Sequence, residues 1–385
     1  MTQLSRLATL GIGPEGGSPG TYAAPTFAIP FEKADFEDTT APLEDKSYRG
    51  NDTDLQGLYP GVKDATWSID VLGYPDLLGV WLRAIIGPDT VSAGVSTTLS
   101  VTTTAGATTI SVPVTIPVGS TVSIGTGATL EYFTSGTPSG SGPFIIPVAS
   151  PSGGLQFAHT SAVQVTTMTT HTFKQSPTSF PLPTYSLTVF DTLTTLGYSY
   201  GKLTDFDFKI DPKGSISLSA KLLTMPGTSQ TTVSENFTAV QPLLGWQWAM
   251  TDAGASSTRG LSLDLSVKRA GESIHASNGV QAPREIFTGV LSSDGTYKAI
   301  FENQTDLNLF ANWSQQAATA TLTKPVSVGG ESVAFTMSRS GWKTAKRDLS
   351  QAYSQIDYSL SGVFNTTDGG AVSAVLQNWV VSQYT

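Results

Sequence analysis

Wherever this chain stays apolar for more than a few residues, it does so at every second position. Phe206, Phe208 and Ile210 alternate with Asp205, Asp207 and Lys209; Ile216, Leu218, Ala220 and Leu222 alternate with polar neighbours, as do Leu261, Leu263, Leu265 and Val267. A period of two sends alternate side chains to opposite faces of a strand. The pattern therefore predicts half-buried sheets and excludes a helical bundle. Similar runs predict strands at Phe27–Phe36, Ala65–Leu72, Tyr185–Phe190, Arg284–Leu291, Thr296–Phe301, Ala318–Thr323, Ser332–Ser338, Ser354–Phe364 and Ala371–Ser382. Helical spacing is confined to Asp76–Ile86, with Leu77, Leu78, Val80, Trp81, Ala84 and Ile85 on its apolar face, and to Gln304–Trp313, with Asn303 as its N-cap. The fold class is mainly β.

The chain's 385 residues suffice for two or three compact units. Residues 1–30, with Pro14, Pro19, Pro25 and Pro30, read as a looping arm. Glu32–Asp64 reads as a long polar loop with nine acids and four bases, which puts five of the nine net negative charges in one stretch. Residues 89–172 carry Asp89 and Glu131 but no Lys or Arg, and short Val/Ile/Thr runs there alternate with Gly, Pro and Ser. That texture marks 91–170 as a small β domain inserted after the first helix.

Motif chemistry is sparse. Gly11, Gly13 and Gly16 have dinucleotide-fingerprint spacing, but Pro14 sits inside the motif and no helix can begin there. His159, His171 and His275 are scattered, read as surface or turn residues, and form no zinc motif. Asp205 and Asp207 read as a solvated strand face, and no strained strand-to-helix serine elbow is expected. No enzyme and no cofactor or metal is expected. The absence of cysteine removes thiolate chemistry. Net charge −9 and pI about 4.8 oppose specific nucleic-acid binding, which needs a basic face. Met1–Leu10 is too short and too polar for a signal peptide, and no run of 18 apolar residues predicts a membrane span, so a chain kept in the cytoplasm until assembly is expected. Five of the seven Trp residues (Trp67, Trp81, Trp246, Trp248, Trp313) fall in apolar patterns and read mostly as core. A carbohydrate-binding, adhesin-like protein is the alternative those tryptophans leave open.

The order of segments resembles the major tail tube proteins of long-tailed, siphovirus-like bacteriophages. The Gly-rich opening GIGPEGGSPGTYAAPTFAIPFEKADFE (11–37), YRG (48–50), PGVKDATWSIDVLGYPDLLGVWLRAIIG (60–87), HTFKQSPTSFPLPTYSLTVFD (171–191), TGVLSSDGTYKAIFENQTDLNLF (288–310) and DGGAVSAVLQNW (368–379) carry the resemblance. It implies a structural virion protein with a β-sandwich or half-barrel core and a flanking helix. Subunits would join their sheets into a lumen-lining barrel through which DNA passes without specific binding. The partners it implies are the chain itself, a tape measure protein and tail-end proteins.

Strand–loop–strand–helix order occurs twice. The first strand precedes the helix by 49 residues from Phe27 and by 44 from Gly260. From helix end to the next strand, Tyr185 or Ser332, is 19 residues in both copies once the 80 of 91–170 are set aside. Two tube-fold units are expected, 1–90 with 171–238 and 239–385, and hence homotrimeric pseudo-sixfold rings, with true hexamers as the alternative. Residues 91–170 should face outward. Glu37, Asp38, Glu44, Asp45, Arg49, Asp52 and Asp54 of the acidic segment should contact Arg339, Lys343, Lys346 and Arg347 of a neighbour.

Overall fold

The structure is a computed structural model and describes residues 4–150, 153–176, 182–231, 236–252, 255–302 and 304–384. The period-two segments form one large antiparallel sheet. Eight strands run side by side in the order Phe31–Asp45, Gly57–Leu72, Ser217–Thr224, Thr195–Ile210, Gly260–Ile274, Glu285–Ile300, Gln355–Gly362, Ser332–Asp348. Two of them are long enough to leave this run. The first half of Thr195–Ile210 pairs with Tyr185–Phe190, and the first half of Ser332–Asp348 pairs with Gln315–Thr323. Ser373–Asn378 then links Ser332–Asp348 to Thr169–Phe173. The alternating apolar residues meet in a single core, where Phe206, Phe208, Ile210, Leu263, Leu265 and Val267 are all at most 3% exposed.

Helix Leu78–Ile85 lies inside this core, with only Arg83 escaping full burial. Arg269, itself buried, donates from Nε to the Ile85 carbonyl and from Nη2 to the Ile86 carbonyl, so a side chain satisfies acceptors that the helix end leaves open. The second helix is Thr305–Ala311, preceded by Gln304; the expected cap Asn303 lies outside the described residues.

Three expectations need correction. The polar segment Glu32–Asp64 is a long hairpin rather than a loop, built from Phe31–Asp45 and Gly57–Leu72. Over Glu37–Glu44 every residue is exposed, so the strand has no buried face to impose alternation. The glycine-rich start is not all arm. Thr9–Pro14 is a strand paired with Tyr185–Phe190, with Leu10 and Ile12 buried, and a Cβ on Gly11 would lie 2.6 Å from Pro25. Finally, His159 and His171 are buried. Each hydrogen-bonds one of the two acids of that stretch: His159 Nε2 sits 2.7 Å from Glu131 and His171 Nδ1 sits 2.8 Å from Asp89.

The registers of the main sheet recur. In the first hairpin a bulge separates Phe31↔Val71 from Lys33↔Asp70, and another separates Thr40↔Lys63 from Pro42↔Pro60. In the second hairpin bulges separate Gly260↔Ala299 from Ser262↔Lys298, and Arg269↔Leu291 from Gly271↔Thr288. Adding 229 to the first strand and 228 to the second converts every one of these pairs into its counterpart. Offsets of 139 and 138 likewise convert Leu203↔Leu222, bulge, Asp205↔Lys221 into Trp342↔Leu360, bulge, Thr344↔Ser359. Offsets of 131 and 139 convert Tyr185↔Gly201, bulge, Leu187↔Tyr198 into Gln316↔Ser340, bulge, Ala318↔Met337. In this correspondence Tyr185–Phe190 matches Gln315–Thr323, so the 19-residue spacing to Ser332 had aligned strands one step out of phase.

A separate six-stranded sheet occupies Ser96–Thr167 and has its own core, including Ile110, Val122, Phe133, Ile146 and Val165. It hangs from a neck where Asp89–Ser92 pairs with Thr169–Phe173. It touches the body through Tyr132, whose ring lies 5.4 Å from that of Trp379, and through Thr121, which sits over Gly330.

Candidate assembly surfaces

An eight-stranded run that does not close on itself has two lateral edges, and unpaired edge groups are a template for another strand. One edge is Phe31–Asp45, whose only partner strand among the described residues is Gly57–Leu72. The other is the end of Ser332–Asp348. There Gln355–Gly362 covers one side, and Gln315–Thr323 stops covering the opposite side at Gly341.

The residues of the acidic segment expected at a contact all lie on the first edge or its tip. Glu37, Asp38, Glu44 and Asp45 are on the strand; Arg49, Asp52 and Asp54 are in the connection. Several are engaged locally. Asp45 accepts from the Ser47 amide at 3.0 Å and pairs with Arg49; the hydrogen bonds from Ser47 hold its carboxyl below the usual range. Asp38 accepts from the Tyr198 hydroxyl at 3.3 Å. Lys46 bridges Glu44 at 2.8 Å and Asp54 at 3.9 Å. The tip also exposes Leu43, Tyr48, Leu58 and Tyr59. These large apolar groups are too close together on one arm to count as scattered surface residues.

The basic residues lie along the other edge strand. Arg339 donates from Nε to Gln315 Oε1 at 2.5 Å. Lys343 contacts Asp294 at 2.9 Å; burial acts to raise the Asp294 carboxyl, but Ser361 and Lys343 outweigh it and hold it low. The Arg347 guanidinium lies 5.4 Å from the Phe301 ring centre, and Lys346 is exposed. Six strands separate these cations from the acidic edge, so a single chain does not bring the two groups together.

No group of three His, Cys, Asp or Glu among the described residues could hold a metal. No helix among them is long and apolar enough to cross a membrane. Lys202, pushed down to about 8 by burial, spends its ammonium on the Leu182 carbonyl. Trp67 and Trp81 are core residues as expected, whereas Trp246 and Trp313 are exposed.

An open-edged antiparallel sheet with charged, opposite edges is a part made for joining. The model of the family described as phage tail tube protein matches residues 5–336. The chain belongs to that family. No curated protein matches it. As a phage tail tube protein it is a structural, non-enzymatic component of the virion tail, and it polymerises with itself into the tube. The edge positions had one sequence signal, opposite charge clustering; the edges themselves are invisible until pairing is known.

Proposed function

We propose that each tail tube chain supplies two tube-fold units, 1–90 with 171–238 and 239–385, and that three chains close a pseudo-sixfold ring. The observation supporting this is the recurrence of five strands, four pairings and four bulges at constant offsets along the chain. A bulge consumes a residue and bends a strand, so four matching bulges are a far more demanding coincidence than matching strand order. Three copies of eight strands, 24 in all, then line one conduit. Rings stack through the hairpin tips around Leu43, Tyr48 and Tyr59, with residues 91–170 directed outward. Three chains of −9 carry 27 net negative charges, which repel DNA phosphates and let DNA slide through without binding. A tape measure protein sets the length and tail-end proteins close the tube. Symmetry analysis of tube images decides the stoichiometry: three 385-residue chains per ring are expected, and six would overturn the two-unit reading.

A further inference from the structure

We propose that the two open edges join head to tail between copies. Thr344–Leu349 of one chain pairs antiparallel with Ala34–Thr39 of the next, with Lys346 opposite Glu37. This rests on the two-unit reading and names its seam down to the register.

The register comes from the seam already present inside the chain. There the end of Thr195–Ile210 pairs with Gly260–Ile274, from Asp205↔Lys268 through Asp207↔Ser266 to Ile210↔Leu263. The repeated pairings carry the first strand forward by 139 and the second back by 229. Applied to the seam, these offsets give Thr344↔Thr39, Lys346↔Glu37, Arg347↔Phe36 and Leu349↔Ala34. Both target segments are unpaired on the required side among the described residues.

Charge and burial both agree with that register. On one face of the internal seam Lys268 lies 3.8 Å from Asp205, and Ser266 Oγ donates to Asp207 at 2.5 Å. The same face of the proposed seam sets Lys346 against Glu37. On the other face, Ile210 is 1% exposed beside Leu263, while its counterpart Leu349 is 75% exposed in the single chain. Pairing would lay Leu349 against Ala34 and next to Phe36, which stacks on Trp67 at 4.8 Å. One opposition is unfavourable, Asp348 against Asp35, and Lys33, 2.5 Å from Asp35, offsets it. Where the internal seam buries Phe206 and Phe208, the proposed one has Ala345 and Arg347. It is therefore the more polar of the two, as suits an edge that must stay in solution before assembly.

The chain has no cysteine, so introduced thiols are its only ones. Two double variants, Glu37→Cys with Lys346→Cys and Asp38→Cys with Ala345→Cys, cover both kinds of antiparallel position, whose Cα spacings are about 4.5 and 5.5 Å. In oxidised tubes at least one should give covalent trimers as the closed limit. Hexamers as the limit would keep the seam and remove the three-chain ring. Intact tubes with no cross-link in either variant would overturn the seam. Should the cysteine variants fail to assemble, charge exchange answers instead. E37K and K346E should each slow tube growth at least tenfold in low salt, and the E37K/K346E double should recover most of it; no recovery also overturns the seam.

Discussion

Removing Gly94–Met168 and joining Ala93 to Thr169 through Asn-Gly should leave tubes intact. The neck permits the cut. Ser92 lies opposite Thr170, so Ala93 and Thr169 are the next opposed positions, and a two-residue Asn-Gly turn fits the twist of such a hairpin. Joining nearer residue 91 would cost ladder pairs that hold Thr169–Phe173 in the body. What the body loses can be worked from its contacts. The Tyr132–Trp379 ring pair contributes about 0.5–1.5 kcal/mol. Uncovering half-buried Trp379 and the Gly330 turn adds an amount on the order of 1 kcal/mol at about 25 cal/mol per Å². The core of the excised sheet leaves as a unit and shares none of its fully buried residues with the main core. A total near 2 kcal/mol lowers Tm by about 3 °C in the remaining body of about 310 residues, at about 2.1 cal/mol/K of unfolding entropy per residue. Calorimetry and negative-stain images are the measurements. A soluble protein with a Tm drop of that size but no tubes would place the six-stranded sheet in the assembly interface, and a far larger drop in Tm would show that it is no independent unit.

Other outcomes follow from single contacts. Gly79→Ala should cost about 1–3 kcal/mol in urea unfolding, because its Cβ would lie 2.2 Å from the Tyr384 ring; in a Y384A background most of that cost should vanish. His171 faces acceptors at both ring nitrogens, Asp89 Oδ2 and the Val380 carbonyl at 2.9 Å. Burial opposes its charge, but these partners outweigh burial and raise its pKa above 6.5. Its stabilising contribution is then complete below about pH 6.5 and lost as pH rises through the raised value. The urea midpoint of the wild type relative to H171Q should accordingly fall with rising pH, and a constant difference would contradict the assignment. Reversing Lys343, Lys346 and Arg347 to Glu should slow tube growth most at low salt, where screening is weakest; rates unchanged across salt would remove charge from the assembly step.

The strongest alternation was the most legible feature. Phe206, Phe208 and Ile210 announce a strand with one dry face, and they sit in the core of Thr195–Ile210. The helix Leu78–Ile85 was legible within 76–86 because its breakers are local, Pro75 before it and Gly87–Pro88 after it. The acidic hairpin was hidden for the opposite reason: with both faces wet over Glu37–Glu44, nothing imposes a period, and the strand is held by its partner's backbone alone. His171 was misread because its burial depends on Asp89, 82 residues away, and on a carbonyl near the C-terminus. The opposite charge of the two edges could be read from composition. Their shared register could not, because bulges leave no residue signature.

The internal seam between Thr195–Ile210 and Gly260–Ile274 joins strands that belong to one molecule, connected by residues 211–259. Such a tether holds its ends at an effective concentration in the millimolar range. In a ring of three chains, half of the seams therefore form at a rate that dilution does not touch, and only the other half wait for encounters. Growth should respond to subunit concentration with a lower kinetic order than six separate units would show.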